Sequence, residues 1–161
     1  MSNNYIVKIS IPSNTEYLDL IFDAIDFIGT RRGFTKKDIE KIKLGAEEAI
    51  VNVIKHAYAH EEEELFDIII STDNTGLKIN IREKGEPFDP SQLKEYSVDA
   101  LQTDAEIKGL GLFLMRKFMD EVSFYNLGAV GKEMHLIKLF LYKSLDKFKD
   151  FDENVYIETV L

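Results

Sequence analysis

Glu48, Asn52 and His56 stand at four-residue steps in the stretch LGAEEAIVNVIKHAYAH, residues 44–60. On an α-helix four residues advance about one turn, so the three side chains share a stripe, with Lys55 beside it. A carboxylate and a carboxamide one turn apart can serve phosphoryl transfer. The asparagine carbonyl oxygen suits a magnesium ion that keeps most of its water and is otherwise held by phosphates, and the glutamate can accept or orient the proton of an attacking hydroxyl. The competing reading is a half-exposed polar helix face without chemistry, His56 included.

Two further stretches complement the first. In LKINIREKGEPFDP, residues 77–90, Leu77, Ile79 and Ile81 alternate along one face of a strand, and the same parity puts Glu83 there. A carboxylate at the end of an apolar face needs a partner, because an unpaired buried charge is expensive; the exocyclic amine of an adenine would supply a donor. Gly85 lets a backbone approach a flat ring, and Pro87 with Phe88 stiffens and walls the turn. An ordinary strand end running into a Gly-Pro loop reads the same way. In KGLGLFLMRKFMDEV, residues 108–122, Gly109 and Gly111 precede helical spacing at Leu112, Met115, Phe118 and Met119. Unpaired N–H groups and the positive end of such a helix suit phosphate, although a bare G-x-G more often marks only a loop entering a helix.

The elements that would position these residues can be traced around them. Tyr5, Val7, Ile9 and Ile11 alternate up to Pro12, which predicts a strand. Tyr17, Leu18, Ile21, Ala24, Ile25 and Ile28 form a helical face, ended by Arg31, Arg32 and Gly33. Thr35 with Asp38 has the form of a capping box opening a second helix, whose buried face is Ile39, Ile42, Ala46, Ala49, Ile50, Val53 and Ala57. Residues 65–71 and 77–83 predict a hairpin around Thr72 to Gly76, and 122–125 with 134–141 predict another around Asn126 to Gly131. Ser91 to Lys108 shows no sustained periodicity apart from a short helix near Leu93, and a segment of that length inside a domain is usually functional. The order strand, helix, helix, hairpin, loop, helix, hairpin implies a two-layer α+β sandwich, its sheet mixed but mostly antiparallel, with the helices on one face.

Composition narrows the function classes. With 161 residues, 45% hydrophobic and 30% charged, the chain is long enough for one domain with its own core. Its formal charge of -9 argues against nucleic-acid or acidic-membrane surfaces, which need clustered Lys and Arg. There is no apolar run of about 18 residues, and MSNNYIVKIS lacks the basic-then-apolar pattern of a leader, so a cytoplasmic location is expected. The absence of cysteine excludes disulfides, thiol catalysis and thiolate metal sites. Protein partners and small ligands remain.

Together the three stretches resemble the GHKL, or Bergerat-fold, ATPases, and within them the short bacterial anti-sigma-factor serine/threonine kinases. EEAIVNVIKHAY is similar to the N box of that family, EKGEPFDP to its D-x-G-x-P-F box, and GLGLFLM to its G-x-G-L box. The likeness runs from Tyr5 to Leu141 and leaves residues 142–161 as an extension without an assigned role. It implies ATP and Mg2+ as ligands, Glu48 as general base, Asn52 as the metal ligand and Lys55 as a phosphate contact. Glu83, Gly85 and Phe88 would line the adenine pocket. Gly109, Leu110, Gly111 and Leu112, with Lys108, would hold the triphosphate under a lid formed by Tyr96 to Lys108. The resemblance further implies a homodimer that binds a sigma factor, phosphorylates a serine or threonine on a small STAS-fold antagonist, and switches partner with nucleotide state.

The chain departs from the family pattern in three places. Glu83 stands where the family has aspartate, the threonine expected near the start of the last strand is missing from GAVGKEMHLIK, and Ile107 and Lys108 occupy the region of an expected arginine. These departures motivate a second reading: a GHKL domain that sequesters a partner without catalysis.

Overall fold

Five strands and three α-helices carry the described residues, 4–57, 64–84 and 104–141 of the computed structural model. Strands β1 (Ile6–Pro12), β2 (Leu65–Thr72), β3 (Gly76–Glu83), β4 (Glu121–Asn126) and β5 (Lys132–Leu139) form one sheet in the order β1-β2-β3-β5-β4. Every neighbouring pair in it is antiparallel. The register explains the alternation in the sequence: Ile11, Phe66, Ile68, Ile70, Leu77, Ile79, Ile81 and Leu136 fall on one face and are buried. Helices α1 (Leu18–Arg31), α2 (Lys36–Ala57) and α3 (Asp104–Phe118) pack on that face. Ile21, Ile25 and Ile28 of α1, Ile39, Ile42, Ala46, Ala49, Ile50 and Val53 of α2, and Leu112 and Met115 of α3 join the strand residues in a single core. This is the expected two-layer α+β sandwich. Each fully buried isoleucine contributes roughly 1.5–3 kcal/mol relative to exposure, so the isoleucine-rich centre is what holds the two layers together.

Local chemistry sets the helix ends. The Thr35 hydroxyl donates to Asp38 Oδ2 (2.7 Å) and accepts from the Asp38 N–H (3.1 Å), the capping pair anticipated from the sequence. Gly33, at φ +79°, ends the connection after α1. The start of α1 differs from expectation. Asn14 caps a short 3-10 turn over Thr15–Tyr17, its side chain accepting from the Glu16 N–H, and the α-helix begins only at Leu18. Tyr17, placed on the buried face by spacing alone, is therefore exposed. Strand β5 begins at Lys132 and ends at Leu139, two residues earlier at each end than alternation suggested, because the turn after β4 closes at Gly131.

The third helix also starts earlier than expected, at Asp104. Asp104-Ala105-Glu106-Ile107-Lys108 contains no helix breaker and sets two acids at the dipole's positive end, so it extends the helix N-terminally instead of forming part of a loop. At the other end, Lys138 reaches from the sheet to donate to the Phe118 carbonyl (3.1 Å) and pairs with Asp120 (3.5 Å). Asp120 in turn accepts from the Leu139 N–H. The C-terminal end of α3 is thus clamped to β5, satisfying a carbonyl that the helix leaves open. Residues 85–103, with the short helix expected near Leu93, and the extension 142–161 lie outside the described residues.

Candidate functional site

Helices α2 and α3 approach closely because each region sets a glycine against a side chain of the other. A Cβ on Gly45 would stand 2.8 Å from Met119 Cγ; one on Gly111 would stand 2.9 Å from Asn52 Nδ2, 3.2 Å from Glu48 Oε2 and 3.4 Å from Asn52 Oδ1. The earlier residue of α2 meets the later residue of the α3 region, so the two helices run antiparallel. Glu48 and Asn52, half-buried and one turn apart, converge on the same point of the α3 backbone. Two stretches that the sequence separates by some sixty residues therefore meet as one constellation.

The other anticipated residues distribute unevenly. Lys55 is exposed on α2. Gly109, Leu110 and Gly111 all lie inside α3, so the expectation that they form an open N–H cradle before the helix is corrected: the α3 N–H groups lacking an intrahelical acceptor are those of residues 104–106. Leu112, expected to contact nucleotide, is a core side chain at 9% exposure. The expected lid is corrected in part, since residues 104–108 form the first turns of α3. Its remainder, 96–103, lies outside the described residues, as do Gly85, Phe88 and the side chains of Lys108 and His56.

Glu83 is buried as parity required, and it has a partner from the protein itself. Its Oε1 lies 3.0 Å from Nζ of Lys132, the residue directly opposite it in the β3–β5 ladder. Alternation in the sequence shows the last strand only from Met134 onward, so this pair is not visible in it. Extending the inward parity of Leu136 and Met134 by one step points to Lys132.

A second polar group occupies the opposite face of the sheet. Glu133 accepts from Arg82 Nη2 (2.7 Å), Arg82 Nε (2.9 Å) and Asn80 Nδ2 (3.0 Å), and its Oε1 lies 2.6 Å from His135 Nε2. An ionised carboxylate only accepts, so His135 carries its proton on Nε2. Burial alone would raise the Glu133 pKa; the hydrogen bonds from Arg82 and His135 outweigh it and hold the carboxyl below its usual range. Hydrogen bonds from Lys8 and Ser10 do the same for Asp67, and those from Thr75 for Asp73. Because these folded-state values lie below the unfolded ones, their stabilisation is present above the ordinary carboxylate pKa of about 4 and is lost as pH falls from there through the lowered folded-state values. The urea midpoint is therefore expected to drop steadily between pH 5 and pH 3, and to drop less in Arg82→Met. A midpoint constant over that range would contradict the assignment.

Among the described residues no group of three or more His, Cys, Asp or Glu could hold a metal ion. The Asn52 carboxamide oxygen at the junction is of the donor type that suits a magnesium ion held otherwise by phosphates and water. No helix among the described residues is long and apolar enough to cross a membrane.

Comparison with known proteins agrees with this architecture. Residues 11–138 match the family described as "Histidine kinase-like ATPase domain". Over 138 residues the chain is 32% identical to the serine-protein kinase RsbW of Staphylococcus aureus strain bovine RF122 / ET3-1, spanning 83% of this chain and 87% of that relative. RsbW of strain MRSA252 gives the same values. The crystal structure of the RsbU and RsbW domains of a Mycobacterium tuberculosis protein superposes with a TM-score of 0.59 at 14% identity, over 84% of this chain and 32% of that one. The histidine kinase domain of the Erythrobacter litoralis EL346 blue-light activated histidine kinase gives 0.51 at 16%, over 84% of this chain and 64% of that one. At such identities the two solved structures speak to fold alone, and this chain spans less than two thirds of either. The match along most of the sequence, the relationship to RsbW and the shared sheet-and-helix architecture together mean that the chain belongs to the histidine kinase-like, or GHKL, ATPase family.

Proposed function

We propose that this chain is an ATP- and Mg2+-dependent protein serine/threonine kinase that works as a homodimer, holds a sigma factor, and phosphorylates a STAS-fold antagonist to switch partners. The observation that carries the reading is the convergence of Glu48 and Asn52 against the backbone of α3 at Gly111. Relationship to a serine-protein kinase at 32% identity supports it.

Magnesium-bound ATP would supply the phosphoryl group. The chain's own residues divide the remaining tasks. Asn52 offers its carbonyl oxygen to the metal. Glu48, held beside it, accepts the proton of the incoming serine or threonine hydroxyl, a role that needs an ionised carboxylate within reach of the nucleophile. Lys55, exposed on the next turn, would serve as a point charge for phosphate. The open N–H groups at the start of α3 add positive potential at the same end of that helix.

Gly111→Val sets a branched side chain against both Glu48 and Asn52, and Mg-ATP affinity is expected to fall at least about tenfold, roughly 1.4 kcal/mol. Titration calorimetry reads this directly, and an unchanged Kd would argue against a ligand at this junction.

Sequestration of a partner without catalysis is the second reading, and the Glu83–Lys132 pair is what favours it, since the carboxylate already has a cation beside it. The test is to incubate the protein with γ-labelled ATP, magnesium and a STAS-fold protein. Label on a serine or threonine of the acceptor is expected. A stable complex with the acceptor that never becomes labelled would establish sequestration instead.

A further inference from the structure

Helix α1 carries apolar side chains on two flanks, and the core accounts for only one of them. Ile21, Ile25 and Ile28 face the sheet and are fully buried. Asp26 pairs with Lys43 of α2, and a Cβ on Gly29 would stand 2.9 Å from Ile39, so α2 covers the adjoining flank. On the flank turned away from α2 stand Leu20, Ala24 and Phe27, at three- and four-residue steps along one helical stripe, with Tyr17 just before the helix. Tyr17, Leu20 and Phe27 are 39%, 50% and 50% exposed, and the Arg31 guanidinium lies 3.8 Å over the Phe27 ring. Scattered apolar residues on a surface are ordinary; an aligned stripe of them marks a docking surface.

The sheet delivers the C-terminal extension to one end of this stripe. After β5, the Phe140 N–H donates to the Thr75 carbonyl (2.9 Å), and the Phe140 ring stacks on Phe34 with centroids 4.7 Å apart. Arg32, the C-cap of α1, reaches over the same ring at 5.2 Å. The extension therefore departs from the C-terminal end of α1, where Leu141 is 72% exposed. Its first residues, YKSLDKFKDF at 142–151, match the stripe in pattern. At helical spacing Leu141, Leu145, Phe148 and Phe151 share one face, Lys147 and Lys149 border it on its two sides, and Asp146 and Asp150 fall opposite. Glu16 and Asp23, both exposed and each about one turn from Leu20, border the α1 stripe with the complementary charge. Ten helical residues cover about 15 Å, enough to run along α1 from Phe27 past Leu20.

We propose that residues 142–151 dock on this chain's own α1, their apolar face closing over Leu20, Ala24 and Phe27. The tether favours this occupant over a second copy. A segment joined by a few residues to its site has an effective concentration in the millimolar range, well above that of any other chain at micromolar protein. The contact gives the extension a structural role: it completes the helical layer on its open side.

Hydrogen exchange of the full chain, read by mass spectrometry on peptides covering 142–151 at two protein concentrations about a hundredfold apart, tests the proposal. Wild type is expected to show amides there exchanging at least about tenfold more slowly than in an unstructured peptide, and equally at both concentrations. Phe27→Asp, with Leu20→Asp as a second variant, sets a charge in the apolar contact at half-exposed positions, and a thermal melt checks each fold. Both are expected to return 142–151 to the unstructured rate while α1 and α2 keep their protection. Unstructured rates in wild type overturn the proposal. Protection that appears only at the higher concentration assigns the stripe to a second copy, and protection that survives in the folded variants places the segment elsewhere; either result also overturns it. Phe27→Ser, a milder change at the same place, carries the test if neither aspartate variant folds.

Discussion

Glu48→Ala is expected to bind Mg-ATP about as tightly as wild type while transferring phosphate about 10²–10⁴-fold more slowly, the usual contribution of a positioned general base. Two features of the structure separate the roles. The group proposed to hold the metal is the carboxamide of Asn52, which Glu48→Ala leaves in place one turn along α2. Glu48 lies against the α3 backbone at Gly111, is only half-buried, and does not belong to the core, so truncation removes the proposed proton acceptor without opening a cavity. Single-turnover transfer from labelled ATP, measured beside a separate Kd, distinguishes the effects; Glu48→Gln, which keeps the shape, should behave like alanine. A variant that loses affinity and rate by the same factor would mean that Glu48 positions nucleotide and does not take the proton.

The second large effect concerns the fold around Glu83. Gly131→Ala is expected to destabilise the protein by about 3 kcal/mol or more. Gly131 sits at φ +118°, and a Cβ there would stand 2.0 Å from the Glu83 carbonyl oxygen and 3.0 Å from Lys84 Cα. Both obstacles are backbone, so no rotamer change relieves them, and the β3–β5 ladder must open where Glu83 faces Lys132. Gly33 is the control: its φ is also positive, yet nothing lies within 4 Å of an added Cβ. Alanine there is expected to carry only the left-handed backbone term of about 1–2 kcal/mol. Urea unfolding of the two variants measures the difference, and equal midpoints would contradict the close approach at Gly131.

How far the sequence alone leads depends on whether a feature is local. The buried face of α2 was legible residue by residue, because helical spacing and core contact are the same constraint for Ile39, Ile42, Ala46, Ala49, Ile50 and Val53. So was the inward position of Glu83, since strand parity persists to the last rung. Tyr17 misled because its apolar ring kept helical phase while the chain was still in a 3-10 turn. The start of α3 was not legible: the glycines at 109 and 111 look like a loop until Gly111 is seen packed on Asn52, a contact across the fold that no local pattern encodes. The Glu83–Lys132 pair and the Arg82–Glu133–His135 group depend on the β3–β5 register, which alternation within single strands does not determine.

The measurement that bears most directly on this account is calorimetric titration of wild type and Asn52→Ala with Mg-ATP, with a thermal melt of each. The convergence of Glu48, Asn52 and Gly111 predicts micromolar-range binding to wild type, about -8 kcal/mol, and loss of that binding in a folded Asn52→Ala. Undiminished affinity in the variant, or no heat of binding in the wild-type protein, would contradict a nucleotide site between α2 and α3.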